Sequence, residues 1–341
     1  MTTGLGAVGP TDILVTGASG FIGAAVVREL VRRGAGPRLR VLARRPAPAW
    51  MTEAGVAEWR GDLTDAAGLA GACSGISTVV HLASHIGGDA RQGTAVNEDG
   101  TRDLLAEARR AGVRHSLYLS TCAVYRDGDH RGAAESVRRP GDAGPGRSAL
   151  VTDPASATSR SRLAAERLVR AAGGVVLRPH LVYGAGDRHV VPTLVRWLRA
   201  VPAWADGGLA RTSVVAVEDL ARVFAAFALD PGRGRPGEVF HLADPRPVRM
   251  RTLVTAVCEG LGLPIPTADL RLGEHRARTR AALAWLSEHQ YSLLTRDHWY
   301  ESSRVWARTG EPVGPGLAAR MAEAAPAYRE ALGIQEVFAR I

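Results

Sequence analysis

The sequence predicts an α/β fold of the Rossmann type. Its parts are a doubly wound parallel sheet and a smaller, mainly helical C-terminal lobe for substrate. Three observations carry this expectation. An apolar run at 12–16 enters the turn Gly17-Ala-Ser-Gly-Phe-Ile-Gly23, and Ile22, Val26, Val27, Leu30 and Val31 then form one helical stripe. Strand-like and helix-like segments alternate through residue 175. Residues 78–83 (TVVHLA) are apolar on both faces, as a strand buried in a parallel sheet must be.

The elements follow in order. After the first strand and its helix to residue 33, 39–43 reads as the second strand, with a weaker third near 56–59. The strand at 78–83 is followed by a helix over 96–111, and 116–120 is the next strand. The Gly-, Arg- and Pro-rich stretch 126–154 reads as a long loop. A helix over 159–172 leads to a strand at 174–178. Residues 1–175 form the cofactor domain, 176–245 supply the remaining sheet strands, and 246–341 form the substrate lobe. In that lobe two helices are expected, over 281–294 and 297–308. They carry Trp285, Tyr291, Trp299, Tyr300 and Trp306, of which Trp285, Tyr291, Trp299 and Trp306 could form a lid that stacks on a flat substrate.

Composition narrows the function. With 46% hydrophobic and 23% charged residues among 341, the chain can bury a large core. The net charge is +9, all 43 basic residues are Arg, and they are dispersed. No helix-turn-helix or zinc-finger pattern accompanies them, so no nucleic-acid partner is expected. Three distant cysteines show no metal-ligand spacing. They fit a reducing cytoplasm, and no metal site is expected. No signal peptide or membrane span is visible, so no membrane partner is expected either. Monomer and dimer both remain open.

The glycine turn sits where a strand becomes a helix. There Gly17 permits a tight turn, Gly20 a close backbone approach to a pyrophosphate, and Gly23 close helix–sheet packing. Ser19, Phe21 and Ile22 complete the phosphate cradle. The second strand ends in Arg44-Arg45 rather than in an acidic residue, which suits a 2′-phosphate and predicts NADP(H).

Further motifs occur downstream: Gly61-Asp62-Leu63-Thr64-Asp65, His81-Leu82-Ala83-Ser84, Val96-Asn97-Glu98-Asp99-Gly100-Thr101, Ser120-Thr121-Cys122-Ala123-Val124-Tyr125, Leu177-Arg178-Pro179-His180-Leu181-Val182-Tyr183-Gly184, and Val217-Glu218-Asp219-Leu220-Ala221. With the glycine turn, they resemble in kind and order the motifs of the extended short-chain dehydrogenase/reductase family. The resemblance covers most of the chain to about residue 225. It implies that Asp62 and Leu63 lie near adenine, and that Ala83, Ser84 and Pro179 line the ribose–nicotinamide channel. It places Ser120 beside a substrate carbonyl; Ser84, His85, Thr121 and Tyr183 are expected on the substrate side, together with Trp285 and Tyr291 from the aromatic C-terminal segment.

One departure matters. The family's Tyr-x-x-x-Lys pair corresponds to Thr158 and Arg162, with Ser161 and Glu166 anchoring the alignment. Arg162 can hold the nicotinamide ribose but cannot release a proton. A Thr hydroxyl is a poor acid; it can only hydrogen-bond an oxyanion. Catalysis is therefore assigned to Ser120, Thr158 and Arg162 without a Tyr acid. His85, His180, His189 and His298 are alternative proton donors. A substrate phenol hydrogen-bonded to the ketone is the chemically economical source. The chain is in this respect similar to the Tyr-less ketoreductases of angucyclinone (simocyclinone-type) biosynthesis. An NADPH-dependent ketoreductase acting on an aromatic polyketide is expected. The alternatives are a redox-inactive NADP-binding sensor and a sugar-nucleotide epimerase or dehydratase.

Overall fold

The computed structural model describes residues 11–87, 89–135 and 150–334. Seven parallel strands form the main sheet: β1 Ile13–Thr16, β2 Leu39–Ala43, β3 Ala57–Arg60, β4 Thr78–His81, β5 His115–Leu119, β6 Val175–Pro179 and β7 Val239–Leu242. Their spatial order is β7-β6-β5-β4-β1-β2-β3. The order reverses between β1 and β4, and ligands of such sheets bind at the carboxyl ends of the strands beside that reversal. The expected Rossmann architecture is therefore what the chain adopts.

Helices cover both faces. The α1 helix, Phe21–Arg32, turns Val26, Val27 and Leu30 into the main core, where they meet Val223, Phe224 and Phe227 of Val217–Leu229. On the other face, Leu104 and Ala108 of α2 (Gly100–Arg110) pack on Leu14, Leu42 and Val79. The α3 helix, Ala157–Ala171, lays Ala165 and Val169 over Tyr118, Val176 and Val239. Each helix presents one apolar stripe to a sheet that is apolar on both sides, which is why β1 and β4 read as unbroken apolar runs.

Three sequence expectations are corrected. The stretch 126–154 is not simply a loop: His130–Ala133 is a strand paired in parallel with His298–Tyr300. Its residues 136–149 lie outside the described residues. A single helix over 297–308 does not form, because His298–Tyr300 joins a second sheet and the helix is Ser303–Thr309. The helix expected over 281–294 is two helices, Leu272–Ala282 and Glu288–Thr295. Ser287 starts the second with a reciprocal cap to Gln290. The cores also interleave along the chain. Leu181, Tyr183, Val191, Leu194 and Trp197 pack in the second core with Met250 and Leu253, whereas Val305 and Trp306 pack in the first.

Candidate active site

The glycine turn is sterically demanded. Gly17 has φ +70°, and a Cβ there would lie 2.6 Å from the Ala83 nitrogen. At Gly23 a Cβ would lie 2.0 Å from the Gly17 carbonyl oxygen. Ser19 and Gly20 are exposed, and Phe21 and Ile22 are half-buried. No side chain caps the start of α1, and its first turn holds no acidic residue. Backbone N–H groups and the positive helix end therefore face the open cradle, which is the environment a pyrophosphate needs.

Arg44, Arg45 and Arg60 lie at the ends of β2 and β3. Arg44 and Arg45 are exposed, and Arg60 donates to the Arg44 carbonyl at 3.0 Å. Asp62 accepts from the backbone N–H and hydroxyl of Thr64, both at 3.0 Å, and lies 3.9 Å from Arg44. Leu63 is buried against Gly100.

Under the centre of the sheet runs a directed chain of hydrogen bonds. Thr101 donates to the Asn97 carbonyl and therefore accepts from Nε2–H of His81. That leaves Nδ1 of His81 to accept from Thr16 at 2.7 Å. Thr16 in turn accepts the backbone N–H groups of Leu82 and Ala83 at 3.2 Å each. Burial, reinforced by the Arg162 charge, holds the His81 pKa down at about 4, so this tie is neutral. Buried Asn97 fixes the next segment. Its Oδ1 accepts from the His85 backbone at 2.7 Å and from Ser84 Oγ at 3.2 Å. Its Nδ2 donates to the His85 carbonyl and to Ser161 Oγ. The sequence shows Asn97 within its motif but not this clamp.

Residues of the catalytic assignment lie around the ends of β4 and β5, with one correction. Ser120 is fully buried and donates to Glu166 at 2.7 Å, so its hydroxyl does not face the cleft. Strand alternation explains this: Ser120 shares the face of Tyr118, which lies under α3. The half-buried hydroxyl of Thr121, one residue on, stands past the strand end and accepts from the Ala123 backbone. Glu166 is held by Arg178 through a bidentate buried ion pair, including an Nε–Oε2 contact of 2.9 Å. Thr158 donates its hydrogen to the Gly87 carbonyl at 2.8 Å. It therefore ties α3 to the segment that carries Ser84 and His85. Arg162 reaches the carbonyls of Leu119 and Ser120 at 2.8 and 2.9 Å. Its Nε is buried with no partner among the described residues. An orphaned cationic N–H at this position fits a ribose hydroxyl, and with the glycine cradle the chain fits a nicotinamide dinucleotide.

The expected substrate side is partly corrected. Tyr183 is buried in the second core. Tyr291 is 6% exposed and bonds His275 Nδ1 at 3.1 Å, so it is a core residue and not a lid. Trp285 is 47% exposed under the Arg196 guanidinium, Trp306 is in the main core, and Trp299 packs against Gly132. Trp285, Tyr291, Trp299 and Trp306 do not assemble into a stacking lid. Pro179 ends β6 and is buried. His189 is exposed, whereas His180 and His298 stack on each other beside Thr121's loop. Among the described residues no His, Cys, Asp or Glu group is arranged to hold a metal, and no helix is long and apolar enough to cross a membrane.

The sheet order, the uncapped helix at the glycine turn and the cation at the end of β5 define a nicotinamide-dinucleotide-binding protein of oxidoreductase type. The chain belongs to the NAD dependent epimerase/dehydratase family, whose profile matches residues 13–243. It is 31% identical over 276 residues to 4-hydroxy-2-methyl-3-oxo-4-farnesyl-3,4-dihydroquinoline-1-oxide ketoreductase of Stigmatella aurantiaca, covering 77% of each chain. It is likewise 31% identical over 263 residues to 2-alkyl-3-oxoalkanoate reductase of Stenotrophomonas maltophilia (strain K279a), covering 74% of this chain and 76% of the other. Among solved structures it resembles a double mutant of dTDP-glucose 4,6-dehydratase from Streptomyces venezuelae with NAD bound. The TM-score is 0.70 at 23% identity, covering 94% and 98% of the two chains, a likeness of fold.

Proposed function

We propose that this protein is an NADPH-dependent ketoreductase. Its substrate is a ketone on an aromatic, angucyclinone-like polyketide, as in simocyclinone-type biosynthesis, and a neighbouring phenol of the substrate supplies the proton. The observation that carries this is the replacement of the family's Tyr by Thr158, whose hydrogen is already given to the Gly87 carbonyl. Arg162 beside it cannot donate a proton. With no acid in the usual place, the proton has to come from elsewhere. A phenol already hydrogen-bonded to the ketone passes its proton to the nascent alkoxide and leaves a delocalised phenolate, which water reprotonates. Two relatives named as reductases of 3-oxo compounds support ketone reduction.

NADPH, when bound, supplies the hydride. The chain's own groups do the rest. The glycine cradle and the start of α1 bind the pyrophosphate. Arg44, Arg45 and Arg60 face the 2′-phosphate, Arg162 takes the ribose, and Thr121 offers a hydroxyl to the carbonyl oxygen. Loss of the Tyr base also weighs against sugar-nucleotide epimerase or dehydratase chemistry.

The test follows NADPH oxidation with 8-hydroxy-1-tetralone and with its 8-methoxy ether. Turnover of the phenol alone, with the ether still binding, supports the proposal. Turnover of both points to a protein acid. Turnover of neither, with NADPH bound, refutes ketone reduction of this class.

A further inference from the structure

The roles above leave Ile86 without one. It is 58% exposed, as exposed as any large hydrophobic residue described, yet the segment 84–87 that carries it is fastened on both sides. Oδ1 of buried Asn97 accepts the His85 N–H at 2.7 Å, and Nδ2 donates to the His85 carbonyl at 3.1 Å. The second Nδ2 hydrogen goes to Ser161 Oγ at 2.9 Å. Ser161 passes its own hydrogen to the Thr158 carbonyl at 3.0 Å. Thr158 Oγ1 donates to the Gly87 carbonyl at 2.8 Å. Every donor has its acceptor, and the bonds close a circuit through His85, Asn97, Ser161, Thr158 and Gly87, with Ile86 at its open side.

Two features of the fold place this circuit. The helix entering α2 widens to a π-helix over Thr94–Asp99, and Asn97 lies in it. That form is rare and occurs frequently at functional sites. Thr158 stands four residues before Arg162 on α3, and therefore on the same helix face. Arg162 Nε, unpartnered among the described residues, is the group assigned to the ribose. The segment begins after Ala83, whose N–H bonds Thr16 at 3.2 Å, and the Ala83 nitrogen is the atom nearest a Cβ placed on Gly17. Residues 84–87 thus run from the glycine turn to the helix face of the ribose cation. The molecule that lies against such a segment is the one a nicotinamide bound there would reduce.

We propose that Thr158 is a positioning residue, the latch that closes this circuit, and that the segment it fixes presents Ile86 as the apolar contact for the substrate's ring. This rests on the ketoreductase proposal. The family's acid position has become a fastening: its hydroxyl holds backbone and leaves the proton to the substrate phenol. An isoleucine on a backbone already ordered offers apolar area that an aromatic ring removes from water with little further ordering cost.

The experiment uses the whole protein with NADP+ bound. Hydrogen exchange of residues 84–87 reads the latch, calorimetry reads affinity for 8-hydroxy-1-tetralone, and NADPH oxidation reads turnover. Thr158→Val keeps the side chain's size and removes the donor. It should bind NADP+ as the wild type does, exchange the segment's amides about two- to tenfold faster, and raise both the ketone Kd and KM by a similar factor. Thr158→Ser restores the donor and should return all three to near wild type. Ile86→Ser should leave exchange unchanged and weaken the ketone about tenfold. The double variant Thr158→Val with Ile86→Ser should bind the ketone little worse than Ile86→Ser alone, because the latch acts through Ile86. Unchanged exchange in Thr158→Val, or lost NADP+ affinity, overturns the latch. Unchanged ketone affinity in Ile86→Ser, or losses that add in the double variant, overturns the contact. A wild type that binds the ketone with these dependences but does not reduce it refutes ketone reduction and leaves latch and contact standing. A wild type that binds no ketone overturns the contact and the reduction together.

Discussion

Hydroxyl direction decides much of the site's chemistry. Ser120 and Thr121 are adjacent, yet one is sealed against Glu166 and the other is half-buried and accepts from the Ala123 backbone. Removing Glu166 should leave Arg178 buried and unpaired at 4% exposure. Glu166→Ala is therefore expected to destabilise the fold by about 3–5 kcal/mol, read as a lower midpoint in urea. The exposed Arg44 and Arg45 serve binding instead. Changing both to Ala should weaken NADPH by about 10–100-fold, as lost charge-assisted bonds would, and leave NADH within a few-fold. Equal losses for both cofactors would refute the 2′-phosphate assignment.

Among the elements, α1 carries the sharpest demand. Gly23 sits one turn into the helix, and the Gly17 carbonyl occupies the space any side chain would take. Gly23→Ala should push α1 off the sheet and abolish dinucleotide binding, with fluorescence titration as the readout; retained affinity would show that the turn can give. This turn was legible because its constraints are local, set by three glycines between a strand and a helix. Two further signals are local. Alternation along β5 puts Ser120 under α3, and the Ser287–Gln290 pair marks a helix start inside the segment 281–294. The pairing of His298–Tyr300 with His130–Ala133 had no local signal, since the partners are about 170 residues apart.

In the whole molecule, buried neutral histidines couple the fold to pH. Burial holds His81 and His298 at about 4, and His241 at about 3, against 6.5 as the ordinary value. Below pH 6.5 the unfolded chain takes up protons at these three positions that the folded protein refuses. Stability is therefore complete above about 6.5 and falls as pH drops toward 4, by up to about 1.4 kcal/mol per unit for each imidazole. Urea midpoints measured from pH 7.5 to 4.5 should decline through this window. A flat profile would mean that these rings are hydrated or already charged.

By itself the sequence determined the sheet, the glycine cradle, the cationic end of β2 and the missing Tyr. Each is written in neighbouring residues, through steric need, periodicity or charge. Only the tertiary structure decided that Tyr291 is core and that His180 stacks on His298. Those outcomes depend on which distant strands pair and which face of each is covered. Local propensity carries almost nothing about either, because the free energy that selects them comes from burial and pairing across the chain.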